Sequence, residues 1–407
     1  MISTSRAGVG ALGIFLAWAL WAWGPVGANP SLDAPTVVLI SLDGTRPEDL
    51  NEQALPSLVS LGQRGAVAQA MIPAIPTNTF PNHVTLATGV APEKHGLVNN
   101  LFEDPKRGLF RKQDIPSWIE VEPIWSIAER HGVVSAAYYW VGSEGSWPGG
   151  RAPTHWKVFS GRTSEAKKVD QILDWLDLDD PKRRPRLIMS WFRGGDHAGH
   201  DHGPGSREVI EALRIQDKEI ARLIDGFDER GLFSTTTLIF VSDHGMAAPK
   251  GRVDLGRALQ RSGIDARVLG IGGFATVVPG SRDRDDPERI RRIAEVARAL
   301  GLDAFAREDA PPDAGVDHPR FGAVIVRADR DVAIVHEGLE LKGFHGYDPR
   351  DPAMAALLVA AGRGVAPGTT LAPLRSIQVA PTVLQLLGVP RPAWMEGRPI
   401  PEFTDSL

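Results

Sequence analysis

Cysteine is absent from the 407 residues. Its absence argues against a disulfide scaffold, removes thiolate metal ligands and rules out a lipidated cysteine anchor. Charge of one sign is scarce too: 45 Lys and Arg against 50 Asp and Glu leave a net charge of −5, which gives no electrostatic case for a nucleic-acid polymer as partner. No internal repeat or low-complexity tract is visible. The long hydrophobic run from Gly8 to Trp23 follows the basic Arg6 and precedes the small residues Val26-Gly27-Ala28. That arrangement predicts a signal peptide over residues 1–28 and a periplasmic or secreted protein with no stable membrane insertion after cleavage. An uncleaved anchor is the alternative, because the run approaches spanning length.

Beyond Pro35, strand-like runs alternate with amphipathic helices, the pattern of an α/β fold with a mostly parallel central sheet flanked by helices. Val37–Ile40, Leu187–Phe192 and Thr237–Ser242 read as buried strands. Ser206–Arg230 reads as a helix, with Val209, Leu213, Ile220, Leu223, Ile224 and Phe227 at three- and four-residue intervals and Gly231 as its stop. The stretches from about Pro116 to Gly161 and from about Lys250 to Lys342 interrupt this pattern. The second carries its own strand-helix-strand signals and is expected to be a small inserted α+β cap, residues 250–342, within a main domain of residues 35–390. Residues 391–407 are expected to form a C-terminal tail.

Three of the predicted strands end just before acidic residues. Asp43 follows the first, Asp196 the second and Asp243-His244 the third, where open α/β sheets place their sites. Adding His200, four residues after Asp196, and the distant His345 makes three Asp and three His. With no Cys in the chain, this set suits zinc or another borderline first-row divalent ion better than calcium. Two such ions sharing six ligands suit phosphoryl transfer, with Thr79 as a candidate nucleophile. Taken singly, Asp243-His244 could be a turn, His200 a surface histidine and Thr79 a loop hydroxyl bonded to its own backbone.

Together the motifs resemble the nucleotide pyrophosphatase/phosphodiesterase family of the alkaline phosphatase superfamily, from about Val37 to Val389. They are Ser41-Leu42-Asp43-Gly44, Thr79-Phe80-Pro81-Asn82-His83, His95-Gly96-Leu97-Val98-Asn99-Asn100, Asp196-His197-Ala198-Gly199-His200, Ser242-Asp243-His244-Gly245-Met246 and Gly343-Phe344-His345-Gly346. The resemblance implies an alkaline-phosphatase-like core and two Zn2+ ions. Asp43, Thr79, Asp243 and His244 would hold one ion, and Asp196, His200 and His345 the other. It further implies Thr79 as nucleophile, a phospho-threonine intermediate and a small phosphate diester or nucleotide pyrophosphate as substrate. Asn100, with the backbone N–H after Thr79, would hold a non-bridging oxygen, and Phe80 would stack a nucleobase. By the same resemblance Trp140, in Trp140-Val141-Gly142-Ser143, would lie near the leaving-group pocket.

Departures from the family pattern bear on substrate contacts. Phe192-Arg193-Gly194-Gly195 stands where acidic residues are common, His202 where Tyr is frequent, and Val141 where Pro is usual. A sulfatase would need a Cys/Ser-x-Pro-x-Arg signature, which is missing. The alternatives kept are a phosphomonoesterase or a phosphonate or phospholipid head-group hydrolase of the same superfamily, and, from another class, a non-catalytic zinc or ligand binding protein. Asn100, where monoesterases usually place Arg, favours the diester.

Overall fold

The three apolar runs marked as strands lie side by side at the centre of one sheet. The computed structural model describes residues 1–2, 34–280 and 285–404, so the expected signal peptide lies outside the described residues except for Met1 and Ile2. The sheet is built from β1 (Thr36–Leu42), β2 (Ala66–Ala68), β3 (Ser135–Tyr138), β4 (His155–Lys157), β5 (Leu187–Phe192), β6 (Thr236–Val241), β7 (Leu358–Gly362) and β8 (Thr369–Leu371). Its order is β8-β2-β7-β6-β1-β5-β3-β4. Every pair is parallel except those made by β7, which runs against both β6 and β2.

Side chains alternate across this sheet with period 2. Val37, Leu39, Met189, Ile239 and Val241 join one core; Val38, Ile40, Ile188, Leu238 and Phe240 join the other. Both faces are therefore covered, which is why the runs are continuously apolar. Helix α1 (Thr79–Thr88) packs with Ile124–Arg130 and Val379–Leu386 on the first face. After β5 comes the short α2 (Asp196–His202), then α3 (Arg207–Glu229), which covers the second face beside Glu165–Leu176. The Ser206 side chain caps α3 by accepting from the Val209 N–H at 3.3 Å, and Gly231 (φ +63°) follows its end. All six apolar residues of the predicted stripe are buried. Each is worth about 1.5–3 kcal/mol against exposure.

Two expectations need correction. Residues 116–161 do not merely interrupt the core, because they supply helix Ile124–Arg130 and strands β3 and β4. Their Pro/Gly/Trp-rich composition hides strands too short to show an alternation. The segment after 390 is no tail as far as Thr404: Met395, Ile400 and Phe403 are buried in the first core. The Ile400 N–H also donates to Thr382 Oγ1 at 2.9 Å.

Between β6 and β7 the chain leaves the main sheet. Gly251–Val253 pairs in parallel with Val332–Ile334, where the excursion begins and ends. Inside it lies an antiparallel sheet ordered Ala266–Leu269, Phe274–Pro279, Val324–Arg327, Asp303–Ala306, packed on helix Pro287–Ala299. Its contact with the rest is tight at Gly273, whose N–H donates to the His345 carbonyl at 2.9 Å. A Cβ there would sit 2.4 Å from the Tyr347 nitrogen. Among the described residues, no helix is long and apolar enough to cross a membrane.

Candidate two-cluster metal site

The C-terminal ends of β6, β1 and β5, three neighbours in the sheet, carry Asp243, Asp43 and Asp196. Asp43 directly follows β1, and Asp196 opens α2 with His200 one turn on, so both side chains share a face. Close approach of these ends depends on glycine: at Gly194 (φ +57°) a Cβ would lie 1.9 Å from the Asp43 carbonyl oxygen. The Gly194-Gly195 departure from the family pattern thus has a backbone use.

Six side chains gather into two clusters, Asp43, Asp243 and His244, and Asp196, His200 and His345; within each, one donor atom per residue lies within 4.8 Å of the others. The hydrogen bonds around them leave a specific set of atoms bare. Trp191 Nε1 donates to Asp43 Oδ2 at 2.8 Å and the Gly44 N–H to Asp243 Oδ1 at 3.0 Å. Asp43 Oδ1, Asp243 Oδ2 and Asp196 Oδ1 are buried with no hydrogen-bond partner. Each histidine is fixed in the same sense. His244 Nδ1 faces the Gly245 carbonyl at 2.9 Å, His200 Nδ1 the Gly343 carbonyl at 2.8 Å, and His345 Nδ1 the Thr77 carbonyl at 3.0 Å. A carbonyl only accepts, so Nδ1 carries the proton and the Nε2 lone pair points inward. His244 Nε2 lies 3.2 Å from Asp243 Oδ2, and His200 Nε2 lies 3.3 Å from Asp196 Oδ1. Unpartnered carboxylate oxygens facing imidazole Nε2 atoms, each imidazole oriented by a hydrogen bond from its Nδ1, fit a divalent cation in each cluster.

Electrostatics agree. Burial, then the charges of Asp243 and Asp196, push the Asp43 carboxyl well above the usual carboxylate range. Burial opposes ionisation of Asp196 as well, but the imidazoles of His200, His345 and His244 around it favour its charged form and hold its carboxyl below that range. Burial also drives the His345 imidazole well below its ordinary value, with His244 and His200 adding to it. Buried like charges of this kind call for a counter-cation.

Thr79 opens α1 with its Oγ1 3.2 Å from His244 Nε2, beside the first cluster. Its helix is held from behind by His83, whose Nδ1 donates to the Thr79 carbonyl at 2.9 Å and whose Nε2 meets Ser41 Oγ at 2.9 Å. His83 Nδ1 also lies 3.4 Å from Asp243 Oδ2. Asn100 is brought to the same place, although its Oδ1 accepts from the Phe80 N–H at 2.8 Å. That N–H is therefore turned to Asn100 here, and the amide NH2 is the remaining donor of the Asn100 side chain. The Asn100 loop is gripped by Arg320 of the inserted segment, which donates to Asp104 Oδ2 at 2.7 Å and to the Gly96 and Trp118 carbonyls, each at 2.8 Å.

Trp140 is not placed as expected. It is fully buried, and its indole N–H donates to the His83 carbonyl at 3.0 Å. It braces α1 and has no face free for a ligand. Phe80 is half-buried, edge-on to Phe110, with Lys112 Nζ 4.7 Å from its ring centroid. His197 and His202 are exposed. Trp191, Asn78 and Lys112 are neighbours that spacing does not reveal. Trp191 sits in a recognisable strand, yet nothing in the sequence says where its N–H points.

A model of the type I phosphodiesterase / nucleotide pyrophosphatase family matches residues 37–348. The chain belongs to this family. It is 33% identical over 389 residues to a pyrophosphatase/phosphodiesterase of Schizosaccharomyces pombe, covering 87% of this chain and 77% of that one. Against mouse ectonucleotide pyrophosphatase/phosphodiesterase family member 1 it is 37% identical over 221 residues, 53% of this chain. It spans only 24% of that longer relative. Among solved structures, murine ectonucleotide pyrophosphatase/phosphodiesterase 5, as an inactive threonine-to-alanine variant in complex with AMP, superposes with a TM-score of 0.78 at 25% identity. The match covers 88% of this chain and 96% of that chain. The human counterpart gives 0.79, also at 25% identity.

Proposed function

We propose that this chain is a zinc-dependent phosphodiesterase and nucleotide pyrophosphatase, exported to the periplasm or secreted, that hydrolyses small phosphate diesters or nucleotide pyrophosphates. The observation that carries the reading is the Thr79 hydroxyl at the N-terminus of α1, beside two clusters of six side chains whose three carboxylates each keep a buried oxygen without a hydrogen-bond partner. Asp43, Thr79, Asp243 and His244 would hold one zinc, and Asp196, His200 and His345 the second. When bound, the ions supply positive charge to phosphoryl oxygens and favour the ionised form of a nearby hydroxyl.

Thr79 Oγ forms the new bond to phosphorus, the bond to the leaving alcohol or phosphate breaks, and the remaining ester stays on threonine. Water then cleaves the Thr79 ester and restores the hydroxyl. The Asn100 amide donates to a non-bridging oxygen, a role supported by the Phe80 N–H, which holds its Oδ1 and leaves its NH2 as the remaining donor. Phe80, with Lys112 beside its ring, offers an aromatic wall for a nucleobase. The AMP complex of the murine relative supports a nucleotide as occupant.

The test compares bis(p-nitrophenyl) phosphate, p-nitrophenyl phosphate and the p-nitrophenyl ester of thymidine monophosphate, using zinc-loaded and chelator-treated protein. Zinc-dependent turnover highest on the nucleotide ester is expected. Preference for the monoester would make the chain a phosphatase on this scaffold.

A further inference from the structure

Between His345 and Asn100 lies a line of buried amides whose hydrogen bonds have a single consistent direction. The Asn100 backbone N–H donates to Asn99 Oδ1 at 2.7 Å. A backbone N–H cannot accept, so the atom it meets is oxygen, and this settles the Asn99 amide orientation. Asn78 Nδ2 donates to the same oxygen at 2.7 Å. The other end of Asn78, its Oδ1, then faces His345 Nδ1 at 2.7 Å and accepts from it. That bond assigns the His345 proton to Nδ1 a second time, independently of the Thr77 carbonyl. At the far end, the Phe80 N–H donates to Asn100 Oδ1, so the Asn100 NH2 is the amide's remaining donor.

Asn78 is 4% and Asn99 1% exposed. Burial of two uncharged amides beside a cluster of charges has no packing advantage over apolar residues of similar volume. Asn99 Nδ2 is moreover buried without a hydrogen-bond partner. It lies beside Gly270 of the inserted segment, where a Cβ would come within 3.3 Å of it. Asn99 is therefore kept for its oxygen, which serves both neighbours.

We infer that Asn78 and Asn99 are positioning residues that hold the His345 ring and the Asn100 amide in one register. They couple the second candidate ligand cluster to the donor proposed for the phosphoryl group. The inference rests on the proposed roles of His345 and Asn100. Asn78 contacts His345 directly; Asn99 contacts the Asn100 backbone directly and reaches His345 only through Asn78.

The experiment uses the full zinc-loaded chain with Asn99→Leu, Asn78→Leu, Asn100→Ala and the Asn99→Leu/Asn100→Ala pair, each checked for thermal midpoint. Turnover is read on the p-nitrophenyl ester of thymidine monophosphate, and zinc affinity by chelator competition. Asn99→Leu is expected to lower kcat about tenfold or more through misplacement of Asn100, and to add nothing in the Asn100→Ala background. Asn78→Leu is expected also to weaken the second zinc by about 10- to 100-fold, the usual effect of losing a partner of a ligating histidine. Asn99→Leu, which leaves the Asn78–His345 bond itself in place, should weaken that affinity less than Asn78→Leu does. Asn99→Asp, which keeps the acceptor oxygen, is expected to recover most of the lost turnover. Losses that multiply in the double variant, unchanged zinc affinity in Asn78→Leu, or an Asn99→Asp as impaired as Asn99→Leu would each overturn the inference. If the wild-type chain hydrolyses no ester, the functional reading fails instead, and the zinc affinity of Asn78→Leu still decides the His345 arm.

Discussion

Five histidines are wholly or largely buried in two adjoining regions, the strand-end clusters and the helix-and-loop layer behind Thr79. In the clusters, His200, His244 and His345 spend Nδ1 on carbonyls and leave Nε2 facing carboxylates. Behind them, His83 and His95 spend both nitrogens on the protein. His95 Nδ1 accepts from the Leu97 N–H at 3.2 Å, so its Nε2 donates to Thr85 Oγ1 at 3.1 Å. Burial alone therefore does not mark a ligand. An Nε2 turned toward carboxylates distinguishes the candidate ligands, and it separates residues that should govern metal and turnover from residues that should govern stability.

The sharpest break of this contrast comes at the residue between the regions. Thr79→Ala should cut kcat by about four to six orders of magnitude, the scale seen when a nucleophile is removed, while zinc content by elemental analysis stays nearly intact. Next, His244→Ala should lose the ion of the first cluster and most activity, whereas His83→Gln should keep both ions; equal zinc loss in the two would erase the distinction. Metal should also stabilise the fold: zinc at a hundredfold above its dissociation constant is expected to add about 2.7 kcal/mol in urea unfolding.

On the other side of the contrast, His95 predicts a pH effect. Burial pushes its imidazole down to about 3 from the ordinary 6.5. The unfolded chain then takes up a proton that the folded chain does not, so stability falls as pH drops from about 6.5 toward 3, by up to about 1.4 kcal/mol per unit. His95→Gln should flatten that part of the stability curve. The smallest effect belongs to Trp140→Phe, which should lose about 1 kcal/mol with its hydrogen bond to His83 and leave KM unchanged. A large rise in KM would restore Trp140 to a substrate pocket.

Much of this was legible in the chain. The strands before Asp43, Asp196 and Asp243 could be found because runs buried on both faces are continuously apolar, and helix α3 because its stripe is regular over many turns. The gathering of the six candidate ligands followed, since strand ends and one α-helical turn fix where Asp196 and His200 can point. Strands of two to four residues, such as β2, β3 and β4, carry too little pattern to be seen. The apolar residues at Met395, Ile400 and Phe403 are too sparse to announce a core segment. Trp140 misled because spacing gives a residue its neighbourhood but not the direction of its N–H. The Asn78–Asn99 pair escaped for the same reason: its meaning lies in which atoms meet.

The central claim, two displacements through Thr79 at a two-cluster site, is tested most directly by stereochemistry at phosphorus. A single diastereomer of a phosphorothioate nucleotide ester, hydrolysed by the zinc-loaded chain in isotopically labelled water, should give a product with retained configuration, since two in-line inversions cancel. Net inversion would mean that water attacks the substrate directly, and Thr79 would not be the nucleophile.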